Sequence, residues 1–114
     1  MFSLLKSVAR DAETEATRTD ASLSDVLEWA WDEAFELLLS QNSWKNALAL
    51  APSEQASELA HKTVPSPSQL TVYMNAEVLR EIDGVAKAFG ASPSATLNLA
   101  WLVAKRAAGP GRRK

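Results

Sequence analysis

Residues 69–74 read Gln69-Leu70-Thr71-Val72-Tyr73-Met74, and apolar and polar side chains alternate along the stretch. A period of two is typical of a β-strand with one buried face and one exposed face. We therefore predict a half-buried strand here, with the three apolar side chains facing inward. A single strand of six residues has no pairing partner of its own, so its apolar face needs a second module to cover it.

Two helices are expected after this strand. Asn75 can cap the first helix, whose apolar residues recur at helical spacing and are Val78, Ile82, Val85, Ala86 and Phe89. Gly90 suits the left-handed position that ends a helix. Ser92 and Pro93 then form the start of a second helix, which we expect to extend to about Ala108.

The first part of the chain repeats this pattern at an offset of 70. Between residues 8–31 and 78–101, nine of 24 positions are identical: Val8/Val78, Arg10/Arg80, Ala16/Ala86, Ala21/Ala91, Ser22/Ser92, Ser24/Ser94, Leu27/Leu97, Ala30/Ala100 and Trp31/Trp101. We interpret this match as an internal repeat. In the first copy the strand position falls on Phe2–Leu5, where a strand and an extension of the following helix fit equally well.

These patterns predict four segments. Residues 1–39 form a first, acidic module, residues 40–68 a helical connector with a Pro/Ser linker, residues 69–108 a second module, and residues 109–114 a basic tail. Within the connector, residues 43–50 and 53–61 have the character of short helices. Three apolar side chains are expected to dock the connector on the rest of the chain: Trp44, Leu48 and Leu59.

The order strand, helix, short turn, helix resembles the ribbon-helix-helix family of DNA-binding proteins, the Arc, MetJ and CopG type. The resemblance rests on the strand at residues 69–74, on the turn Gly90–Ser94 and, in the first copy, on the turn Asp20–Ser24. It implies a mainly α fold with one short antiparallel β-ribbon, enclosed by the four helices of two modules. The two modules could come from one chain, as a pseudo-dimer, or from two chains, as a homodimer.

The resemblance also implies a function and a set of residues. The chain is expected to be a DNA-binding transcriptional regulator whose ribbon enters the major groove of double-stranded DNA. The residues expected to contact bases are Gln69, Thr71 and Tyr73. Those expected to contact phosphates are Ser92, Ser94, Lys87, Lys105 and Arg106. The residues assigned to the core are Val72, Met74, Ile82, Phe89, Leu97, Trp101, Leu27 and Trp31.

The net charge of −2 conceals a division that bears on this function. Residues 1–60 hold four basic and eleven acidic residues, a net charge of −7, whereas residues 61–114 hold eight basic and three acidic residues, a net charge of +5. DNA affinity depends largely on basic contacts to phosphate, so the first module is poorly equipped for it. The alternative is a protein-interaction or antitoxin-like module of the same fold, in which the acidic first copy binds a basic partner.

Other functions find little support in the sequence. The chain has no cysteine, so a thiolate metal site cannot be assembled. Its one histidine, His61, lies next to a proline-rich segment, and we interpret it as a surface residue, since a histidine cluster for zinc or a histidine-based triad is hard to build from it. Acids at helical spacing, such as Asp11 and Glu15, are interpreted as a solvated face. We expect no enzyme activity, no cofactor and no metal. No apolar run approaches the ~20 residues of a membrane span, and no signal peptide is recognised, so a cytoplasmic protein is expected.

Overall fold

Two helix pairs have matching boundaries along the chain. The computed structural model describes residues 2–64, 68–70 and 73–108. Its elements are β1 Phe2–Leu4, α1 Lys6–Thr19, α2 Leu23–Leu39, α3 Trp44–Leu48, α4 Ser53–Glu58, β2 Ser68–Leu70, α5 Ala76–Phe89 and α6 Pro93–Ala108. The chain is thus mainly helical. Helices α1 and α5 start 70 residues apart in the sequence, and so do helices α2 and α6, which is the offset of the predicted repeat.

The turns inside the two helix pairs also match. Asp20 ends α1 with a φ of 55° and Gly90 ends α5 with a φ of 67°, so both adopt the left-handed conformation. Ser22 then caps α2 by accepting a hydrogen bond from the backbone of Asp25, and Ser92 caps α6 by accepting one from the backbone of Ala95, both at 3.0 Å. Because helix ends leave backbone groups unpaired, these caps stabilise the start of each second helix.

The two strands form a short antiparallel ladder, in which Phe2 lies opposite Leu70, Ser3 opposite Gln69 and Leu4 opposite Ser68. Phe2 and Leu4 are buried. For Phe2–Leu5 the sequence favoured neither a strand nor a helical extension; in the structure Phe2–Leu4 form a strand and Leu5 precedes α1. The prediction of a strand through residue 74 is wrong at Tyr73 and Met74, which lie in irregular backbone before α5. Since β1 has three residues, the ladder consists of three pairs of opposing residues.

The core lies between α2 and α6, which make the most extensive contact between any two elements. Corresponding columns of the two helices are fully buried or nearly so, namely Leu27 and Leu97, Ala30 and Ala100, Trp31 and Trp101, and Ala34 and Ala104. Helices α1 and α5 pack on the outside of this pair. The broad apolar faces of α2 and α6 therefore supply most of the hydrophobic stabilisation.

The connector consists of α3 and α4. Ser43 caps α3, and the indole nitrogen of Trp44 donates to the carbonyl oxygen of Leu59 at 2.8 Å. Trp44 also meets the ring of Phe89 edge-on, with 5.7 Å between ring centroids. Trp44 and Leu59 are buried and Leu48 is half-buried, so the connector is docked by the predicted side chains.

Candidate functional site

The ribbon is the first part of the candidate site. Gln69 lies opposite Ser3 in the ladder, and Tyr73 has 84% of its surface exposed three residues after β2 ends. Thr71, the other residue expected to contact bases, lies outside the described residues. The buried Phe2 and Leu4 define the inner side of β1, and Ser3 between them is half-exposed.

Side chains from the first turns of α6 bind the backbone of β1. The Ser94 hydroxyl oxygen accepts a hydrogen bond from the Ser3 backbone nitrogen at 3.0 Å. Asn98 accepts one from the Leu5 nitrogen at 2.8 Å and donates to the Ser3 carbonyl oxygen at 2.9 Å. These bonds hold the start of α6 beside the ribbon. A site that uses both the ribbon and the start of this helix requires the two to be close together.

Lys62 is a residue of this region that sequence reasoning missed. Its carbonyl oxygen accepts the Ser92 backbone N–H at 2.9 Å, which brings the connector to the start of α6. Its ammonium nitrogen lies 3.8 Å from the point that a Cβ on Gly90 would occupy. Lys62 has a φ of 68°, unusual for a residue with a side chain. No local pattern in the sequence indicates that this lysine meets the second module.

The two serine-capped helix starts differ in charge. Asp25 lies in the first turn of α2, which follows Asp20 at the end of α1, whereas α6 has no acid in its first turn and is joined by Lys62. A helix N-terminus attracts anions through its unpaired N–H groups and its dipole. Of the two, the start of α6 is the one without a carboxylate, but Pro93 has no N–H and the N–H groups of Ser92 and Ala95 are already bonded within the chain.

The cations expected to contact phosphate do not cluster there. Lys87 is exposed and pairs with Asp83 at 3.2 Å. The ammonium of Lys105 lies 3.3 Å from a carboxylate oxygen of Glu15 and over the ring of Trp101, and Arg106 donates to the carbonyl oxygen of Ala51 at 3.0 Å. Lys105 and Arg106 follow the start of α6 by about 18 Å of helix, so they do not share a site with Ser92 and Ser94.

Glu15 corrects the expectation of a solvated acidic face on α1. Its side chain is only 7% exposed and pairs with Arg18 as well as with Lys105. Asp11, which was assigned to the same face, is exposed and accepts a hydrogen bond from Trp101 at 2.8 Å. These two acids connect the first helix to α6.

The tryptophans make matched contacts between the helix pairs. Trp101 of α6 donates its indole N–H to Asp11 of α1, and Trp31 of α2 donates to Glu81 of α5 at 2.9 Å. The two donors lie 70 residues apart in the sequence, and so do the two acceptors. A second matched set joins backbone to side chain, since Leu5 donates to Asn98 and, at the equivalent positions, Asn75 donates to Glu28 at 2.6 Å.

Most residues assigned to the core are buried in the structure: Met74, Ile82, Leu97, Trp101, Leu27 and Trp31. Phe89 is half-buried against the core, and Val72 lies outside the described residues. The rings of three tryptophans, Trp31, Trp44 and Trp101, are buried and are not available as a platform for stacking on bases. Trp29 is half-buried and meets Trp101 edge-on with 6.2 Å between ring centroids.

Other kinds of site have no counterpart in the described ranges. Residues 2–64, 68–70 and 73–108 contain no group of three acidic or histidine side chains able to hold a metal ion, and His61 is exposed. None of the helices in this part of the chain is both long and apolar enough to span a bilayer. The expectation that the chain is not an enzyme stays a prediction.

Comparison of the chain with protein-family models, curated proteins and solved structures finds no match.

Proposed function

We propose that the chain is a single-chain ribbon-helix-helix protein, in which a first module of residues 1–39 pairs with a second module of residues 69–108. The matched bonds from Trp31 to Glu81 and from Trp101 to Asp11 support this pairing. Each runs from the second helix of one module to the first helix of the other. Such reciprocal contacts are characteristic of two units related by an approximate two-fold axis. The ladder between β1 and β2 contributes the ribbon.

The function that this arrangement supports best is sequence-specific binding of double-stranded DNA. The observation that carries the proposal is the two-stranded antiparallel ribbon, buried through Phe2 and Leu4 on one side and bordered by the exposed Tyr73. The major groove of B-DNA admits a two-stranded ribbon. A glutamine such as Gln69 can pair bidentately with adenine, so this ribbon has a side chain able to read a base.

Binding is expected to be one-sided. The start of α6 has no acid in its first turn and has Lys62 beside it, which offers a cation to a phosphate, whereas the start of α2 carries Asp25. Phosphate contacts supply a large part of DNA affinity, so we assign that contact to the second module. The operator is accordingly expected to be short, with no symmetric second half-site.

The test begins by selecting bound sequences from a random pool of double-stranded oligonucleotides with the full chain. A variant combining Gln69→Ala, Thr71→Ala and Tyr73→Ala should retain the melting temperature and lose its preference for the selected sequence. Thr14→Ala with Thr17→Ala, on the exposed side of α1, is the matched control and should bind as the wild type does.

Lys62→Ala should instead weaken binding to all sequences and reduce its dependence on salt by about one phosphate contact. If the selection enriches no sequence, or if the triple variant keeps the wild-type preference in a gel-shift assay, the ribbon is not a DNA reader.

A further inference from the structure

A groove lies between the carboxyl-terminal ends of α2 and α5. Its volume is about 320 Å³. Apolar side chains from both helices line its walls, with Gln41 and Asn42 at one end; the apolar residues are Leu38, Leu39, Val85, Ala88 and Phe89, and Gly84 lies among them. Leu39 is 59% exposed, so it presents apolar surface to solvent at the rim of this groove.

Gly84 has no structural reason within the chain to be glycine. It lies inside α5, where glycine is less favourable than any ordinary residue except proline. Its φ is not positive, and a Cβ built on it meets no atom within 4 Å. Together with the exposed Ala88 one turn later, it leaves the helix backbone open along the groove, so another chain can approach closely there.

The surface along the line where α2 and α5 meet, from Glu28 to Leu39 on α2, is called the seam below. Beyond the groove, this seam is acidic. Helix α2 carries five acids and no basic residue, and Glu28, Asp32 and Glu36 follow one another at intervals of four, with Leu39 three residues further on. Residues at these intervals share one helix face. Helix α5 runs alongside this part of α2, because the Asn75 backbone N–H donates to Glu28 and Glu81 accepts a hydrogen bond from Trp31.

The carboxylates along the seam crowd one another. Partial burial, and then the negative charges of Glu81, Glu28 and Glu33, raise the pKa of Asp32 above its ordinary value. The basic residues of α5 are Arg80 and Lys87. Lys87 is paired with Asp83, and in the described part of the chain no ion pair joins a basic residue to Glu28, Asp32 or Glu36. A groove with apolar walls thus adjoins a stripe of carboxylates.

We propose that the seam binds an amphipathic basic helix of another protein, with its apolar residues in the groove and its lysines or arginines against the α2 stripe. Charge complementarity selects this occupant, and helix-in-groove binding uses the same combination of apolar anchors and flanking charges. The interval from Glu28 to Leu39 covers about 16 Å, which corresponds to three turns of partner helix. This interaction goes beyond DNA binding and does not depend on it.

The experiment uses the full chain and a fluorescein-labelled synthetic peptide of 18 leucine and lysine residues, patterned as an amphipathic helix. Two further peptides are controls: one shuffled so that the apolar stripe is lost, and one with glutamate in place of lysine. Fluorescence anisotropy should show that the patterned basic peptide binds at least tenfold more tightly than either control.

Gly84→Gln should reduce this affinity at least tenfold by filling the groove, while the melting temperature stays equal or rises. The matched control is Thr14→Gln, at the equivalent position of the repeat on α1, which is also exposed. Asp32→Asn with Glu36→Gln should weaken binding about tenfold at low salt and remove most of its salt dependence.

Equal binding of the peptide by the wild type and Gly84→Gln overturns the proposal, as does equally tight binding of the shuffled peptide. Sedimentation velocity without peptide tests another occupant: if the wild type self-associates and Gly84→Gln does not, the groove binds a second copy of this chain instead. Flotation with neutral phosphatidylcholine vesicles tests a lipid surface, and vesicle binding that Leu39→Gln abolishes also overturns the proposal.

Discussion

Replacement of Asn98 by leucine tests how α6 holds the ribbon. Asn98 has no exposed surface, and its carboxamide binds the Leu5 nitrogen, the Ser3 carbonyl oxygen and the Ser94 carbonyl oxygen. Leucine has a similar volume and fills the same space, but it forms none of these bonds. The variant therefore deprives two backbone groups at β1 of their partner while the packing of α6 is kept.

The structure sets the size of the effect. A buried backbone group that loses its partner costs about 1–3 kcal/mol. Leu5 is only 2% exposed and Ser3 is half-exposed, so water can replace the lost bond at Ser3 alone. We expect about 2 kcal/mol from Leu5 and about 1 kcal/mol from Ser3, a total of about 3 kcal/mol. With an unfolding entropy of about 0.24 kcal/mol/K for 114 residues, the melting temperature should fall by about 12 °C.

Equilibrium unfolding in urea, followed by tryptophan fluorescence, measures the loss. Thr96→Val is the matched control, because Thr96 is also fully buried in α6 and its hydroxyl donates only to the Ser92 carbonyl oxygen, which keeps the Thr96 backbone N–H. It should cost less than about 1 kcal/mol. Hydrogen exchange at the Leu5 amide should accelerate in Asn98→Leu alone. If the two variants lose equal stability, the Asn98 bonds do not hold β1 and the reasoning is refuted.

Three further predictions concern stability. Lys105→Met should lower the free energy of unfolding in urea by about 1–2 kcal/mol, less than a fully buried pair because Arg18 remains beside Glu15, and Glu15→Val with Lys105→Phe should recover it; no recovery would contradict this account of the pair. Asp32→Asn should raise the melting temperature at neutral pH, because a raised pKa means that the ionised carboxylate is less favourable in the folded state; the gain should vanish below the ordinary pKa of 3.8, and a gain that persists there has another cause. Gly84→Ala should stabilise the chain by about 1 kcal/mol in the same urea assay, since the added methyl meets no atom within 4 Å; a loss would indicate that Gly84 packs against the chain itself.

The helices could be predicted from local signals. Asn75, Gly90 and Ser92 each mark a helix boundary by their own conformational preference. In the structure α5 lies between Asn75 and Gly90, and α6 begins directly after Ser92. The apolar faces of α2 and α6 are broad enough for the core to be identified from the spacing of apolar residues alone. In the connector, the predicted helices at residues 43–50 and 53–61 are shorter in the structure, at Trp44–Leu48 and Ser53–Glu58, because short helices have few bonds to hold their ends.

Contacts between distant segments could not be predicted in this way. The burial of Glu15 depends on Lys105, which lies 90 residues further along the chain, and the spacing of acids on α1 carries no record of that partner. The approach of Lys62 to Ser92 likewise depends on how the connector folds back. Alternation in residues 69–74 indicated a strand, but the strand's extent depends on the three residues that β1 offers for pairing.

One ion pair, between Glu15 and Lys105, favours the proposed pairing of two modules within one chain. Glu15 and Lys105 meet in the structure, whereas the equivalent positions of the repeat hold Val85 and Phe35, respectively. Under the proposed two-fold arrangement, pairing two first modules would face the carboxylate of Glu15 with Phe35, and pairing two second modules would face the ammonium of Lys105 with Val85. Pairing two first modules would leave the buried Glu15 with Arg18 alone, and pairing two second modules would take the half-buried Lys105 away from its carboxylate, so either arrangement is less stable. Only the pairing of a first with a second module keeps the ion pair, so the division of charge between the modules favours closure within the chain.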